Sequence, residues 1–217
     1  MPINPNAAQP ENWYSAVFAR IYDPFMQQME ERVLQKRRKA LLENLHGDIL
    51  EVGAGTGANF VHYQADAKVI AIEPSALMLN QGEKKLRENQ YPATFQLIQA
   101  GIGDQAVEEA IPEGGLDAVV FTLVLCTIPD AKSALKQCVQ WLKPGGKLVM
   151  LEHIASSDPW GYRVQTVINP VWKHLAEGCN LNRHTDQLVQ SLGLQAESEE
   201  YFTKALPFYE AVWMKVR

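Results

Sequence analysis

The sequence predicts an α/β protein built on a doubly wound, mostly parallel sheet, and three observations carry that prediction. Short apolar runs at 49–52, 68–72, 94–98, 116–125 and 147–153 alternate with helical patterns near 57–63, 75–89, 104–110 and 131–141. Strands joined by crossover helices pair in parallel and need helices on both faces. The stretch 119–125 shows little polar alternation, as expected of a strand buried on both faces. Two last β-like runs, 197–202 and 208–216, flank Pro207 and predict an antiparallel hairpin at one edge of the sheet.

Ahead of the first strand, Trp13, Val17, Phe18, Ile21 and Tyr22 recur at helical spacing until Pro24 interrupts them. Phe25, Met29, Val33, Leu41, Leu42 and Leu45 continue a second helical pattern that Gly47 ends. The expected division is an N-terminal helical cap over 1–46 and a main domain over 47–217, with a helical insert near 156–192. The basic run Lys36-Arg37-Arg38-Lys39 is expected to be a solvated helix face; contact with an anionic surface is the other reading.

Composition narrows the function. A chain of 217 residues, 47% hydrophobic and 21% charged, is ordinary for one globular domain. A formal net charge of -5 argues against a dedicated nucleic-acid binder, which needs a surplus of Lys and Arg. Cys126, Cys138 and Cys179 form no CxxC pair and no zinc-type spacing with histidine, so neither a disulfide framework nor a metal site is predicted. The start lacks the basic and apolar regions of a secretory signal, and the apolar stretch 118–128 is too short to span a bilayer. A cytoplasmic protein without an integral membrane segment is expected, with peripheral membrane contact left open.

The strongest motif is Asp48-Ile-Leu-Glu-Val-Gly-Ala-Gly-Thr-Gly-Ala58, a strand entering a glycine-rich turn that is expected to lead into a helix. Glycines there let a ligand approach the peptide groups, and a helix N-terminus would add free N–H groups. Gly53, Gly55 and Ala58 also satisfy the dinucleotide fingerprint, so the glycines alone admit NAD. Three features separate the readings. Glu51, two residues before the first glycine, suits a cationic ligand and would repel a pyrophosphate. Glu73, closing the second strand before Pro74, can accept both hydroxyls of a ribose, which supports either nucleotide cofactor. Pro144-Gly145-Gly146 predicts a tight turn returning the chain into the sheet.

Together, the segment Glu51–Gly57, Glu73 and Leu142-Lys-Pro-Gly-Gly-Lys-Leu148 resemble the motifs of class I S-adenosylmethionine-dependent methyltransferases. The resemblance covers about half of the chain. It implies seven strands with a reversed last strand, and S-adenosyl-L-methionine as cofactor with S-adenosyl-L-homocysteine as product. The implied cofactor residues are Glu51, Gly53, Ala54, Gly55, Gly57, Asn59, Glu73, Pro74, Gly101, Ile102, Thr122 and Leu123. Many members place an acid near the adenine at the end of strand three; here 99–104 reads Gln-Ala-Gly-Ile-Gly-Asp, with Asp104 arriving late.

The segments Thr122-Leu-Val-Leu-Cys126, Glu152-His153, Asn169-Pro-Val-Trp-Lys-His174 and Gly178-Cys-Asn-Leu-Asn-Arg183 resemble the branch that includes the animal alkyl thiol methyltransferases. That implies a small lipophilic thiol as methyl acceptor. The segment Phe18-Ala-Arg-Ile-Tyr-Asp23 resembles quinone- and phospholipid-methylating relatives, which keeps those acceptors open. His153, at the end of the fifth strand, either deprotonates or orients an acceptor or has a structural role. Tyr14, Phe18, Tyr22, Cys126, His153 and Trp172 are the candidate acceptor-binding residues. Cys179 is expected to be structural, with nothing visible to lower its pKa and lining of the acceptor region as the other reading; His174 and His184 are expected to be structural, with a place facing the pocket as theirs. A nicotinamide oxidoreductase is disfavoured because no Tyr-x-x-x-Lys pair occurs. A non-catalytic S-adenosylmethionine-binding module is the rival from another class. Nothing in the sequence sets the oligomeric state.

Overall fold

The computed structural model describes residues 34–176, 178–204 and 206–216. The strands form one seven-stranded sheet in the order β3-β2-β1-β4-β5-β7-β6. They are β1 (Gly47–Val52), β2 (Ala67–Ile72), β3 (Thr94–Ile98), β4 (Leu116–Thr122), β5 (Leu142–His153), β6 (Gln195–Thr203) and β7 (Pro207–Met214). The described helices are α1 (Gln35–Leu42), α2 (Ala76–Glu88), α3 (Gln105–Ala110), α4 (Ala131–Trp141), α5 (Pro159–Leu175) and α6 (Thr185–Gln190). The chain divides into two compact units, Met1–Ala118 and Val119–Arg217.

In the first unit, β1 pairs with β2 from Gly47↔Ala67 to Val52↔Ile72, and β2 with β3 from Lys68↔Thr94 to Ile72↔Ile98, both in parallel. Asp117 fixes where β1 begins, because its Oδ2 accepts the Asp48 N–H at 2.8 Å. Apolar side chains of β1 and β2, among them Ile49, Leu50, Val69 and Ile72, are buried. Phe60 stacks at 4.6 Å from the Phe95 ring in a tilted arrangement. Ser75 caps α2 by accepting the Met78 N–H, and Lys85 and Arg87 sit in its last turn, where the helix dipole favours positive charge.

In the second unit, β7 pairs antiparallel with β5 on one side, from Lys147↔Met214 to His153↔Phe208, and with β6 on the other. The predicted terminal hairpin is therefore present, with its last strand reversed. Leu148, Val149, Met150 and Leu151 are fully buried, as is Tyr209. The Tyr209 hydroxyl accepts from Trp213 Nε1 at 3.0 Å and donates to Glu199 Oε1 at 2.6 Å. Helix α5 has its buried Gln165 tied to Ser156 N and Ile154 O, while Trp160, Val164, Val167, Ile168 and Val171 face solvent. Among the described residues no helix is long and apolar enough to cross a membrane.

Four expectations are corrected. The helix expected at 57–63 is only a 3-10 turn, Phe60–His62, because the chain after the third glycine closes through single-turn bonds such as His62 N–H to Asn59 O. Strand β4 stops at Thr122 rather than 125, since Leu123 turns to φ 58 and the next two N–H groups leave the ladder. Strand β5 starts at Leu142 and runs through the predicted turn; Gly145, at φ 80, donates to Lys215 O and Gly146 O accepts from Lys215 N–H. The basic run is not wholly a solvated face, because Arg38 is only 4% exposed.

Candidate functional site

The first cluster lies in the first unit at the C-terminal end of β1. Glu51 is 2% exposed, and both of its oxygens are engaged. Asn59 Nδ2 donates to Oε1 at 2.9 Å, and the Tyr63 hydroxyl donates to Oε2 at 3.0 Å. Arg38 Nη1 in turn donates to Asn59 Oδ1 at 2.6 Å, which orients the amide so that its NH2 group faces the carboxylate. Burial pushes the Glu51 carboxyl up to about 7, against the lowering hydrogen bonds of Tyr63 and Asn59 and the charge of Arg38. Tyr63 is raised well above its ordinary value, first by burial and then by the charge of Glu51.

The glycines of the turn do different work. At Gly57, φ is +78 and a Cβ would overlap the Phe60 ring, so this glycine serves the packing of the turn. At Gly55, φ is +56 and a Cβ would meet nothing within 4 Å, so this residue borders open space. The donors of the loop are directed inward: the Gly53 and Ala54 N–H groups both reach Ile72 O, and the Gly55 N–H reaches Glu73 Oε2 at 3.0 Å. A pyrophosphate would find these three N–H groups already paired. The expected helix N-terminus is absent as well. Glu73 Oε1 accepts the Ser75 N–H at 2.9 Å, so both carboxylate oxygens are engaged by backbone donors of the loop region. A buried acid and an open glycine face, in a loop whose N–H donors are already paired, suit a cationic nucleoside better than a dinucleotide.

Of the other candidate cofactor residues in this unit, Ala54, Asn59, Gly101 and Ile102 are buried, while Pro74 is exposed. Asp104 does not extend the cluster; its Oδ2 accepts the Gly101 N–H at 2.8 Å and holds that loop.

The second cluster lies in the second unit, where β4 and β5 end. Glu152, fully buried, accepts the Val124 and Leu125 N–H groups on Oε1 at 2.9 and 3.1 Å. Leu123, bonded through its N–H to Leu151 O, takes the left-handed conformation that this re-aiming requires. Thr122 is buried just before it. Cys126, His153 and Cys179 converge, with one ligand-type atom of each lying within 4.8 Å of the others. His153 Nε2 is 3.0 Å from Cys179 Sγ. The loop carrying Cys179 is stitched in place by Asn180, whose N and Nδ2 both donate to Cys126 O, and by Arg183, which donates to Leu125 O and Ile128 O.

This environment corrects the expectation that nothing lowers the Cys179 pKa. The hydrogen bond from Cys126 lowers it, burial opposes, and His153 lowers it further. Cys126 moves the opposite way, raised by the same bond and then by burial. For His153, burial lowers the pKa but the bond and charge of Cys179 outweigh it, so the net direction is up. Burial raises Glu152 to about 7, although its backbone bonds pull down. His153 Nδ1 and Glu152 Oε2 are buried and make no hydrogen bond, while the Trp172 indole is a further donor that lowers Cys179. Tyr14, Phe18 and Tyr22 lie outside the described residues.

The sequence reading missed Arg38, Tyr63, Arg183 and the role of Cys179. A cation three residues before an apolar pair, as Arg38 is before Leu41 and Leu42, was the one available hint of burial.

Residues 50–150 match the family described as "Methyltransferase domain". Over 138 residues the chain is 36% identical to thiol S-methyltransferase TMT1A of Homo sapiens, covering 63% of this chain and 55% of that one. Over 163 residues it is 31% identical to thiol S-methyltransferase TMT1B of Homo sapiens, covering 71% of this chain and 66% of that one. The chain thus spans a little over half to about two thirds of the length of these relatives. A solved putative methyltransferase from Bacillus halodurans shares the fold with a TM-score of 0.61 and 17% identity, covering 79% of this chain and 73% of that one. Motifs, strand order and relatives agree: the chain belongs to the class I S-adenosylmethionine-dependent methyltransferases.

Proposed function

We propose that this protein transfers a methyl group from S-adenosylmethionine to a small lipophilic thiol. The observation that carries the cofactor half is the buried Glu51 carboxylate beside a glycine loop whose N–H donors are already paired. When bound, S-adenosylmethionine supplies a methyl group activated by a sulfonium. Glu51 offers negative charge to the ligand's cationic end, and Arg38, Asn59 and Tyr63 hold that carboxylate in place. Glu73 accepts from the ribose hydroxyls, and Gly53, Ala54, Gly55, Gly57, Pro74, Gly101 and Ile102 complete the surroundings within the first unit. Displacement at a methyl carbon needs alignment and exclusion of water more than a strong base. A thiol suits this chemistry, because it ionises more readily than an alcohol.

The thiol acceptor is supported by the activity for which the two human relatives are named and by the cluster of Cys126, His153 and Cys179. On this reading His153 is the residue through which the acceptor is oriented, with Cys126 and Trp172 as further acceptor-binding residues. The test uses methyl-labelled cofactor with a panel of alkyl thiols, quinols and amino-lipids. Label is expected in the thiols; label in quinols or amino-lipids alone would reassign the acceptor. No label in any class, with S-adenosylhomocysteine still bound, would make the protein a non-catalytic binding module.

A further inference from the structure

Three side chains that the sequence scatters meet at one buried point. Cys126 follows β4, His153 ends β5, and Cys179 follows α5; all three are buried. Their sulfur and nitrogen atoms span no more than 4.8 Å, with His153 Nε2 and Cys179 Sγ 3.0 Å apart. A tetrahedral zinc ion bound by two thiolates and an imidazole separates its ligand atoms by about 3.5 to 3.8 Å, given bond lengths of about 2.3 and 2.1 Å. The observed range brackets those separations, so small rotations of three side chains would make a coordination set.

Glu152 Oε2 is buried and takes no hydrogen bond, an energetically costly arrangement unless a positive centre lies nearby. The surrounding backbone is well braced: Asn180 and Arg183 tie the Cys179 loop to the segment around Cys126 through four hydrogen bonds to its carbonyls. A braced ligand set keeps little freedom to lose on binding a metal.

We propose that Cys126, His153 and Cys179 form a Cys2His site for one zinc ion, with a fourth position open to the sulfur of an alkyl thiol. His153 ligates through Nε2 and keeps its proton on Nδ1. Three protein ligands with an open fourth position is the pattern of catalytic rather than structural zinc. A thiol entering that position loses its proton to water and stays bound as thiolate, so no side-chain base is required. The fourth-position clause rests on the thiol reading above; the metal site itself does not.

The experiment measures metal content of the full chain purified from zinc-supplemented cells, without chelator. About one zinc per chain is expected, falling at least tenfold in C126S and C179S and unchanged in C138S, whose cysteine is buried in α4. Circular dichroism and melting curves separate loss of metal from loss of fold; H153N, which keeps a polar side chain, serves as the second test if the cysteine variants unfold. Cobalt exchanged into the wild type is expected to show thiolate charge-transfer bands, with visible bands that shift on adding an alkyl thiol. Less than a tenth of an equivalent of zinc in folded wild type, a Cys126–Cys179 disulfide in its place, or equal zinc in C179S would overturn the site. Cobalt bands insensitive to every thiol would overturn the fourth position. Thiol methylation by zinc-free protein would overturn the fourth position and leave the proposed function standing, whereas bound zinc without methylation of any thiol would overturn the proposed function and leave the metal site.

Discussion

Arg38 donates to Asn59 Oδ1 at 2.6 Å, and through that one bond a residue of α1 determines which way an amide faces the buried Glu51. Removing the guanidinium leaves Asn59 free to flip and strips positive charge from the neighbourhood of the acid. Arg38→Ala is expected to cost about 2 to 3 kcal/mol, read as a lower urea midpoint, and to weaken S-adenosylhomocysteine binding. Unchanged stability together with unchanged affinity would show that α1 does not support the cofactor cluster.

Glu51 makes both stability and ligand binding depend on pH. Its folded pKa, about 7, lies above the ordinary 4.5, so protonation favours the fold. The stabilisation is complete below pH 4.5 and is lost as pH rises to 7, amounting to about 3 kcal/mol across that window. A ligand with a cationic amino group prefers the ionised acid, so S-adenosylhomocysteine affinity should fall about tenfold per pH unit below 7. Tyr63, Arg38 and Glu73 also act on this carboxyl. Glu51→Gln should flatten the slope. A slope that persists in the variant would move the titration to another group.

The glycine loop offers a paired test. Gly57→Ala is expected to lose more than about 3 kcal/mol, because its Cβ meets the Phe60 ring at a left-handed backbone position. Gly55→Ala carries only the backbone strain, about 1 kcal/mol, but projects a methyl into open space beside the loop. Calorimetry should therefore find Gly55→Ala folded and deficient in S-adenosylhomocysteine binding. If it binds normally, the cofactor does not approach that glycine.

Glu73 carries both a structural and a ligand-binding load. Glu73→Ala releases the Gly55 and Ser75 N–H groups and should lower S-adenosylhomocysteine affinity tenfold or more. In a melting assay the wild type should be stabilised by S-adenosylhomocysteine and not by NAD. Equal shifts with both ligands would return the loop to the dinucleotide class.

Much of the sheet was legible because its signals are local. Ser75 caps the helix that starts beside it, Trp141 ends α4 where the pattern predicted, and β3 is Thr94–Ile98 as the apolar run indicated. The acid Glu51 was legible too, since a charge inside an apolar strand is conspicuous. What escaped depends on contacts that sequence spacing does not encode. Arg38 looked like its neighbours Lys36 and Lys39, yet it alone of these three is buried. The glycine turn looked like the start of a helix, but the demands of φ at three glycines left only a single 3-10 turn. Cys126, His153 and Cys179 come from three different elements, and only the bonds of Asn180 and Arg183 reveal that they share a corner.

The last strand of the chain lies between two others. Because β7 bonds to β5 on one flank and β6 on the other, β6 cannot join the sheet until β7 has left the ribosome. During synthesis β5 presents an open edge, and the order of translation leaves that edge to be closed last. A nascent chain stalled before Pro207 would therefore be a target for chaperones and for pairing with a second nascent chain.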